Sequence, residues 1–260
     1  MYDLAALDSA LAGSIFAGKL RFMASTGSTN SDAMNAARAG APHGSVFFAE
    51  EQTAGRGRGD HAWHSASGQG LYVSMVVRLP IPAARLALLP LAAGLAAAEA
   101  VRASSGLTVD LRWPNDLLIG PRKAGGILVE AGCQSEGLPH AVVGIGINVH
   151  QRSFDPNLST QGTSLDVESG RCIDRQQLLI ALLESLGRET GDLLNPAASA
   201  AIPARLAASS TWIRGRRVLV HGPQACTGVT EGLDENGFLL VRTAVGLVQV
   251  QTGGIRDAAQ

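Results

Sequence analysis

The run Gly55-Arg56-Gly57-Arg58-Gly59 alternates glycine with arginine. Such a loop lets backbone N–H groups close on an anion while guanidinium forks hold it through paired hydrogen bonds. The expected guest is a phosphate or a carboxylate. The glycines do not follow the dinucleotide-binding spacing, and no Gly-Lys-Ser/Thr phosphate loop occurs. Gly-Arg repeats also form mobile surface tails, but this one lies between predicted strands, which argues against a tail.

A further group of candidates follows at Arg112-Trp113-Pro114-Asn115-Asp116, which places an indole, a rigid proline turn and short polar side chains at a strand end. Trp113 either fills the core or faces a site, and Asn115 and Asp116 either close an Asx turn or shape that site. Lys123 precedes Gly125 and Gly126 ahead of a strand, so its ammonium can be aimed at an anion across little bulk; the ordinary alternative is a solvated lysine. Taken alone, Ser28-Thr29-Asn30 reads as a helix N-cap. Asn148 ends the apolar run Gly144-Ile145-Gly146-Ile147, where a core amide needs a partner.

These residues must be positioned by a mixed α and β scaffold. Strands are expected at 19–24, 45–49, 71–78, 108–112, through 119, 126–130 and 141–149, the last apolar enough from Val142 onward to be buried on both faces. Helices are expected at 32–39, 81–103 and 174–194, with another before Ser209. Ser28 to Ser31 supply the capping side chains of the first of these, and Gly40 stops it. From Arg214 the pattern turns to short strands, at 217–221, 226–232, 238–243 and 247–251, with a hairpin signal at Asp234-Glu235-Asn236-Gly237. That spacing predicts a small barrel that needs the main body to pack on.

The composition narrows the function classes. A chain of 260 residues with 46% hydrophobic residues can bury a sizeable core. Lys and Arg number 21 against 22 Asp and Glu, which gives no general attraction to nucleic acid or an anionic membrane. The apolar stretch 86–98 is cut by Pro90 and ends at Glu99, short of the ~20 residues that cross a bilayer, so no span is expected. The opening residues lack the pattern of a secretory signal, and the cytoplasm is the expected compartment. Cys133, Cys172 and Cys226 fit neither a disulfide framework nor a zinc pattern and are read as reduced small hydrophobes; no metal site is expected.

Ser28-Thr29-Asn30, Gln52 ahead of Gly55-Arg56-Gly57-Arg58, Trp63, Arg112-Trp113-Pro114-Asn115-Asp116, Lys123 with Gly126-Ile127-Leu128-Val129-Glu130, and Gly144-Ile145-Gly146-Ile147-Asn148-Val149 stand in one order along the chain. In that order and at those spacings they resemble the biotin protein ligases. The resemblance spans essentially the whole chain, to Gly253-Gly254-Ile255-Arg256. It implies an α+β fold, a mixed β-sheet flanked by helices of the class II synthetase type, over residues 1–210, and an SH3-like β-barrel over 211–260. With its first motif at Ser28, the chain resembles the monofunctional form, without a DNA-binding winged helix or a repressor role.

The resemblance also implies the chemistry. Biotin's carboxylate attacks the α-phosphate of ATP to give biotinyl-5′-AMP and pyrophosphate, and a lysine of a biotin carboxyl carrier protein then attacks the activated carbonyl. Lys123 and Arg58 are the implied catalytic residues. Ser28, Thr29, Asn30, Gln52, Arg56, Gly57, Arg58, Lys123 and Gly126 are implied to bind biotin. Arg56, Arg58, Trp63, Asn115, Asp116 and Asn148 are implied to bind ATP and the adenylate, with Trp63 on adenine and Mg2+ carried by the nucleotide's phosphates and water. Pairing of two copies through sheet edges is possible in the family, and no membrane partner is implied.

One departure stands out. Where the family continues with glycine and arginine, this chain has Asp60 and His61 before Ala62-Trp63. A fixed positive charge is replaced by an imidazole and a carboxylate is added, so anion affinity is expected to be lower or pH dependent. Two alternatives remain at this point: a lipoate-type ligase on the same scaffold, and a non-catalytic sensor of biotin or adenylate.

Overall fold

The computed structural model describes residues 2–59, 61–132 and 140–258. Asp60 and Cys133 lie outside the described residues. The helices are α1 (Leu4–Ala10), α2 (Thr29–Arg38), α3 (Leu89–Ser105), α4 (Leu165–Ser169), α5 (Arg175–Asp192) and α6 (Pro196–Ser209). The strands of the main body are β1 (Leu20–Met23), β2 (Val46–Ala49), β3 (Gly70–Arg78), β4 (Asp110–Arg112), β5 (Asp116–Ile119), β6 (Arg122–Gly132) and β7 (His140–Asn148). They form one sheet in the order β1-β2-β3-β7-β6-β5-β4. β1 and β2 run parallel, joined through α2, and every other neighbouring pair is antiparallel, so the sheet is mixed as expected.

β7 is the middle strand of the seven, which accounts for its apolar sequence. Side chains alternate across it. Val143, Ile145 and Ile147 join the main core beneath α3 and α5, whereas Val142 turns to the other face and packs with Val76 of β3 and Ala33, Met34 and Ala37 of α2. Gly144 and Gly146 follow Val142 on that second face. Beyond the N-terminus of α2, the sheet therefore presents a floor with almost no side chains.

A second, five-stranded antiparallel sheet comprises β8 (Arg217–His221), β9 (Cys226–Leu233), β10 (Leu239–Thr243), β11 (Gly246–Val250) and β12 (Gly254–Asp257), in the order β11-β10-β9-β8-β12. Its inner residues Val218, Val220, Leu239, Val241, Val250 and Ile255 belong to the same buried cluster as α3. The predicted Asp234–Gly237 turn presses on α3: Gly237 has φ +80°, and a Cβ there would lie 2.5 Å from Leu91 Cδ1. The sequence pattern predicts four strands here; the fifth, β12, is only four residues long and pairs antiparallel with β8.

Several expectations need correcting. Ser28 is the N-cap of α2 but its hydroxyl makes no capping bond, and Thr29 and Asn30 lie inside the helix with side chains committed elsewhere. The segment read as one helix from 81 is a 3-10 helix over Ala83–Leu88 followed by α3, with Pro90 in the first turn, where proline is tolerated. By length and composition Ala84–Ser105 reaches what a membrane span needs, but α3 lies buried between the sheet and α5. Lys123 lies within β6 rather than ahead of it. Cys172 and Cys226 are both free thiols; Cys226 is half-buried and packs against the core as a small hydrophobe, whereas Cys172 is exposed.

Candidate active site

The Gly-Arg loop leaves β2 and returns to β3, crossing the glycine floor. A cleft of about 750 Å³ separates it from β6, lined by Arg56, Gly57, Arg58 and His61 from the loop and by Leu128, Val129 and Glu130 from the strand. Gly57 N donates to His61 O at 2.7 Å and Trp63 N donates to Gly55 O at 2.8 Å, so the loop is closed by its own backbone. Gly55 has to be glycine, because a Cβ would run into the Trp63 carbonyl and stand 2.8 Å from Ser65 Oγ.

Trp63 lies flat on the floor. A Cβ on Gly146 would stand 2.5 Å from its Nε1, and one on Gly126 would stand 3.5 Å from its ring. Its Nε1 is buried without a hydrogen-bond partner, an orphan donor of the kind functional sites retain. Lys123 Nζ stands 5.6 Å from the centre of the same indole.

Lys123 is clamped at its backbone and tethered at its tip. Its N donates to Gln161 O at 2.8 Å and its O accepts from Thr163 N at 2.9 Å. Nζ lies 2.5 Å from Asp116 Oδ1, and Arg112 holds Asp116 Oδ2 at 2.6 Å. Burial alone would raise the Asp116 carboxyl, but Lys123 and Arg112 prevail and hold it below the usual carboxylate range. Asn148 Nδ2 donates to Thr163 O at 3.0 Å and Lys123 O at 3.5 Å, so its amide nitrogen braces the Lys123 segment. Asn115 Nδ2 donates to Ile127 O at 3.0 Å, with its Oδ1 left for Arg58 at 3.4 Å.

Arg58 reaches across the cleft to the second sheet. Its guanidinium donates to Gly253 O at 2.6 Å and to Thr252 Oγ1 at 3.4 Å. Burial lowers its pKa, and Asp116 pulls it back up. Arg56 turns the other way and pairs with Glu130 Oε2 at 2.5 Å.

The N-terminus of α2 supplies a polar wall. Gln52 Oε1 accepts from Thr29 N at 2.9 Å and Thr29 Oγ1 at 3.0 Å, while Gln52 Nε2 donates to Ser65 Oγ at 2.8 Å. Thr29 Oγ1 is also 2.8 Å from Ser74 Oγ, and Asn30 Nδ2 donates to Glu130 Oε2 at 2.8 Å. Ser28, Thr29, Asn30, Gln52, Arg56, Arg58, Trp63, Gly126 and Lys123 thus border one face of one sheet. Fixed positive charge beside a glycine-floored hollow, whose one lining carboxylate among the described residues, Glu130, is paired with Arg56, suits a molecule with an apolar body and an anionic end.

Residues 21–148 match the family model for the Biotin/lipoate A/B protein ligase family. The chain is 34% identical over 245 residues to the biotin–[acetyl-CoA-carboxylase] ligase of Mycobacterium tuberculosis, covering 91% of this chain and 88% of that protein. It is 33% identical over 236 residues to the bifunctional ligase/repressor BirA of Bacillus spizizenii, covering 88% of this chain and 70% of that one. This chain belongs to the biotin protein ligase family. A biotin protein ligase from Aquifex aeolicus in complex with biotin and ATP has the same fold, with a TM-score of 0.78 at 26% identity over 92% of this chain and 98% of that one.

Two features of this biotin protein ligase escaped sequence reading. Ser74 and Glu130 join the polar wall; Glu130 shares a strand face with Gly126 and Leu128 by simple alternation, a signal that was available. His150, Asp166 and Cys172 bring ligand-type atoms within 4.8 Å of one another, although their sequence spacing suggests no metal pattern. Asp166 is already engaged there, accepting from Ile173 N at 2.9 Å and lying 2.8 Å from His150 Nδ1.

Proposed function

We propose that this biotin protein ligase joins biotin to a lysine of a biotin carboxyl carrier domain through biotinyl-5′-AMP. The observation that carries the reading is the placement of Arg56, Arg58 and Lys123 around one glycine-floored face of the sheet, beside the polar wall at the start of α2. A carboxylate approaching a triphosphate meets like-charge repulsion. Preorganised cations in a site that excludes water remove that repulsion where each interaction is strongest.

In this reading the bicyclic ring of biotin lies against Ser28, Thr29, Asn30 and Gln52 and over Gly126. Lys123 neutralises the carboxylate during attack and then the acyl phosphate, with Asp116 and Arg112 aiming its ammonium. Arg58 and the backbone around Gly57 hold the α-phosphate, Arg56 shares that load, and Trp63 rises from the floor to meet adenine, its orphan N–H gaining a partner. Asn115, Asp116 and Asn148 shape the nucleotide side, the last through its bonds to the Lys123 segment. ATP comes with Mg2+; Asp116 and Glu130 are already occupied by cations and amides, so the ion rides on phosphates and water.

The amine of the carrier lysine then attacks the carbonyl, forming the amide as AMP leaves with the C–O bond electrons. Closure of the Gly-Arg loop keeps water from the mixed anhydride until the carrier arrives. Residues 1–210 form the catalytic unit in this assignment, and 211–260 form a C-terminal barrel that seats Arg58. Pyrophosphate exchange into ATP tests the reading directly. Exchange that requires biotin supports it, exchange that requires lipoate instead replaces it with a lipoate ligase, and biotin binding without exchange makes the protein a sensor.

A further inference from the structure

Trp212 belongs to none of the sequence motifs, yet two guanidiniums converge on its indole. The Cζ atom of Arg112 stands 5.2 Å from the ring centre and that of Arg216 stands 3.8 Å from it. Arg112 is one of the two cations that grip Asp116, the carboxylate to which Lys123 is tethered. Arg216 lies at the entry to the second sheet, where Asp257 of β12 accepts from its Nε at 2.7 Å and from its NH2 at 2.8 Å.

An indole suits this place for an electrostatic reason. Lys123 and Arg112 share the single negative charge of Asp116, so the three groups together carry net positive charge. A carboxylate beside Arg112 would compete with Asp116 for its N–H groups. A π face attracts the cation as a whole and leaves the N–H groups in the guanidinium plane free. Arg112 directs those groups to Asp116 Oδ2, through Nε at 3.0 Å and NH2 at 2.6 Å, and to Thr160 Oγ1 at 2.9 Å. Trp212 is only 5% exposed, so water does little to screen the attraction.

The strap that carries the indole is fixed to the edge strand β4. Ser210 Oγ donates to Leu111 O at 2.6 Å and accepts from Trp212 N at 3.1 Å. Thr211 N and Thr211 Oγ1 donate to the two carboxylate oxygens of Asp110 at 3.0 and 2.6 Å. Arg112 ends that same strand. Ring and guanidinium are therefore anchored to one piece of backbone, and their separation is set by it.

We infer that Trp212 is a positioning residue for the adenylation step: it fixes the Arg112 guanidinium, which orients Asp116 and so aims Lys123, while Arg216 and Asp257 hold the indole from the second sheet. The inference rests on the proposed biotin-ligase reading and deepens it, because it makes the junction between the two sheets part of what sets the reacting cation. Trp212 touches no reacting atom in this scheme.

The test uses the full chain in biotin-dependent pyrophosphate exchange, with thermal melts of every variant to confirm folding. Trp212→Leu removes the π face and keeps an apolar side chain, and Trp212→Phe returns a ring. The kcat of exchange is expected to fall about tenfold in Trp212→Leu, the scale of one desolvated cation–π contact, with the KM for biotin held within about twofold. Trp212→Phe should recover most of the loss. Arg216→Ala leaves the core intact and should lower kcat about threefold, the scale of a partly exposed contact. If the indole acts only through the ammonium, adding Trp212→Leu to Lys123→Ala should slow exchange no further.

An unchanged kcat in Trp212→Leu, Trp212→Phe as slow as Trp212→Leu, or a further loss when Trp212→Leu joins Lys123→Ala overturns the inference. The last of these outcomes assigns Trp212 to general packing. Should Trp212→Leu fail to fold, Arg216→Ala decides alone, and a wild-type kcat there overturns the inference equally. Absence of biotin-dependent exchange in the wild-type chain is a separate result: it removes the ligase reading itself, and the inference with it.

Discussion

The ammonium of Lys123 and the guanidinium of Arg112 grip opposite oxygens of one carboxylate, Asp116, at 2.5 and 2.6 Å. Asp116 is mostly buried, so removing its charge leaves two cations facing each other with no counter-ion. Asp116→Asn is expected to cost roughly 2–3 kcal/mol of stability at pH 7, somewhat under the range for a fully buried pair. The pH dependence has a definite sign. The folded pKa of Asp116 lies below its unfolded value, so its stabilisation is complete above about pH 4 and is lost as the pH falls through the folded value. Urea unfolding of both proteins at pH 7 and pH 3 checks this: the gap between them should narrow at pH 3, and a constant gap refutes the ion-pair assignment.

In the proposed reaction Lys123 is the cation that neutralises the attacking carboxylate, and Lys123→Ala removes it. Loss of one preorganised donor costs about 2–4 kcal/mol of transition-state stabilisation, or roughly 30- to 1000-fold in the first step. Pyrophosphate exchange should fall by that factor while the melting temperature changes little, since Arg112 still holds Asp116. Exchange at the wild-type rate removes Lys123 from the chemistry.

How much of this site was legible in the sequence depended on whether its geometry is local. Arg56 and Arg58 declare themselves because glycine and arginine alternate within five residues, and β7 declares itself because a strand buried on both faces has to be apolar. What the order of residues along the chain does not record is pairing. Ser28, Thr29 and Asn30 look like a cap because a cap is the local use of those side chains, yet sheet register brings Ser74 and Glu130 within reach and the long-range bonds win. The grip of Gly253 on Arg58 spans 195 positions and has no sequence signature at all.

The glycine floor makes a paired prediction. A methyl group at Gly146 would stand 2.5 Å from Trp63 Nε1 and 2.6 Å from its Cε2, whereas at Gly126 the nearest atoms stand at 3.5 Å. Gly146→Ala should therefore expel the indole, at a cost of about 1–3 kcal/mol, and Gly126→Ala should be tolerated structurally. Tryptophan fluorescence separates them: a red shift is expected for Gly146→Ala only. Equal spectra for the two variants would mean that Trp63 does not rest on the floor.

Arg58 bridges the two sheets, and its loss bears on what happens to the intermediate. Held by Gly253 O at 2.6 Å and facing Asn115 Oδ1 at 3.4 Å, it ties the Gly-Arg loop to the second sheet and to the β4–β5 turn. Burial depresses its pKa, but a guanidinium starts far above neutrality and stays charged. Arg58→Gly removes the tie and, in the proposed reaction, the charge over the acyl phosphate, so the loop should open more often and biotinyl-AMP should leave before a carrier lysine arrives. The loss of one charge-assisted bond, about 1.5–3 kcal/mol, corresponds to an off-rate raised some 10- to 100-fold. A pulse of labelled biotin followed by an unlabelled chase measures that rate, and bystander proteins added to the chase should become labelled on their lysines. An off-rate equal to that of the wild type would show that the adenylate is held by the polar wall and Lys123 alone, with the bridge to the second sheet serving only to join the two units.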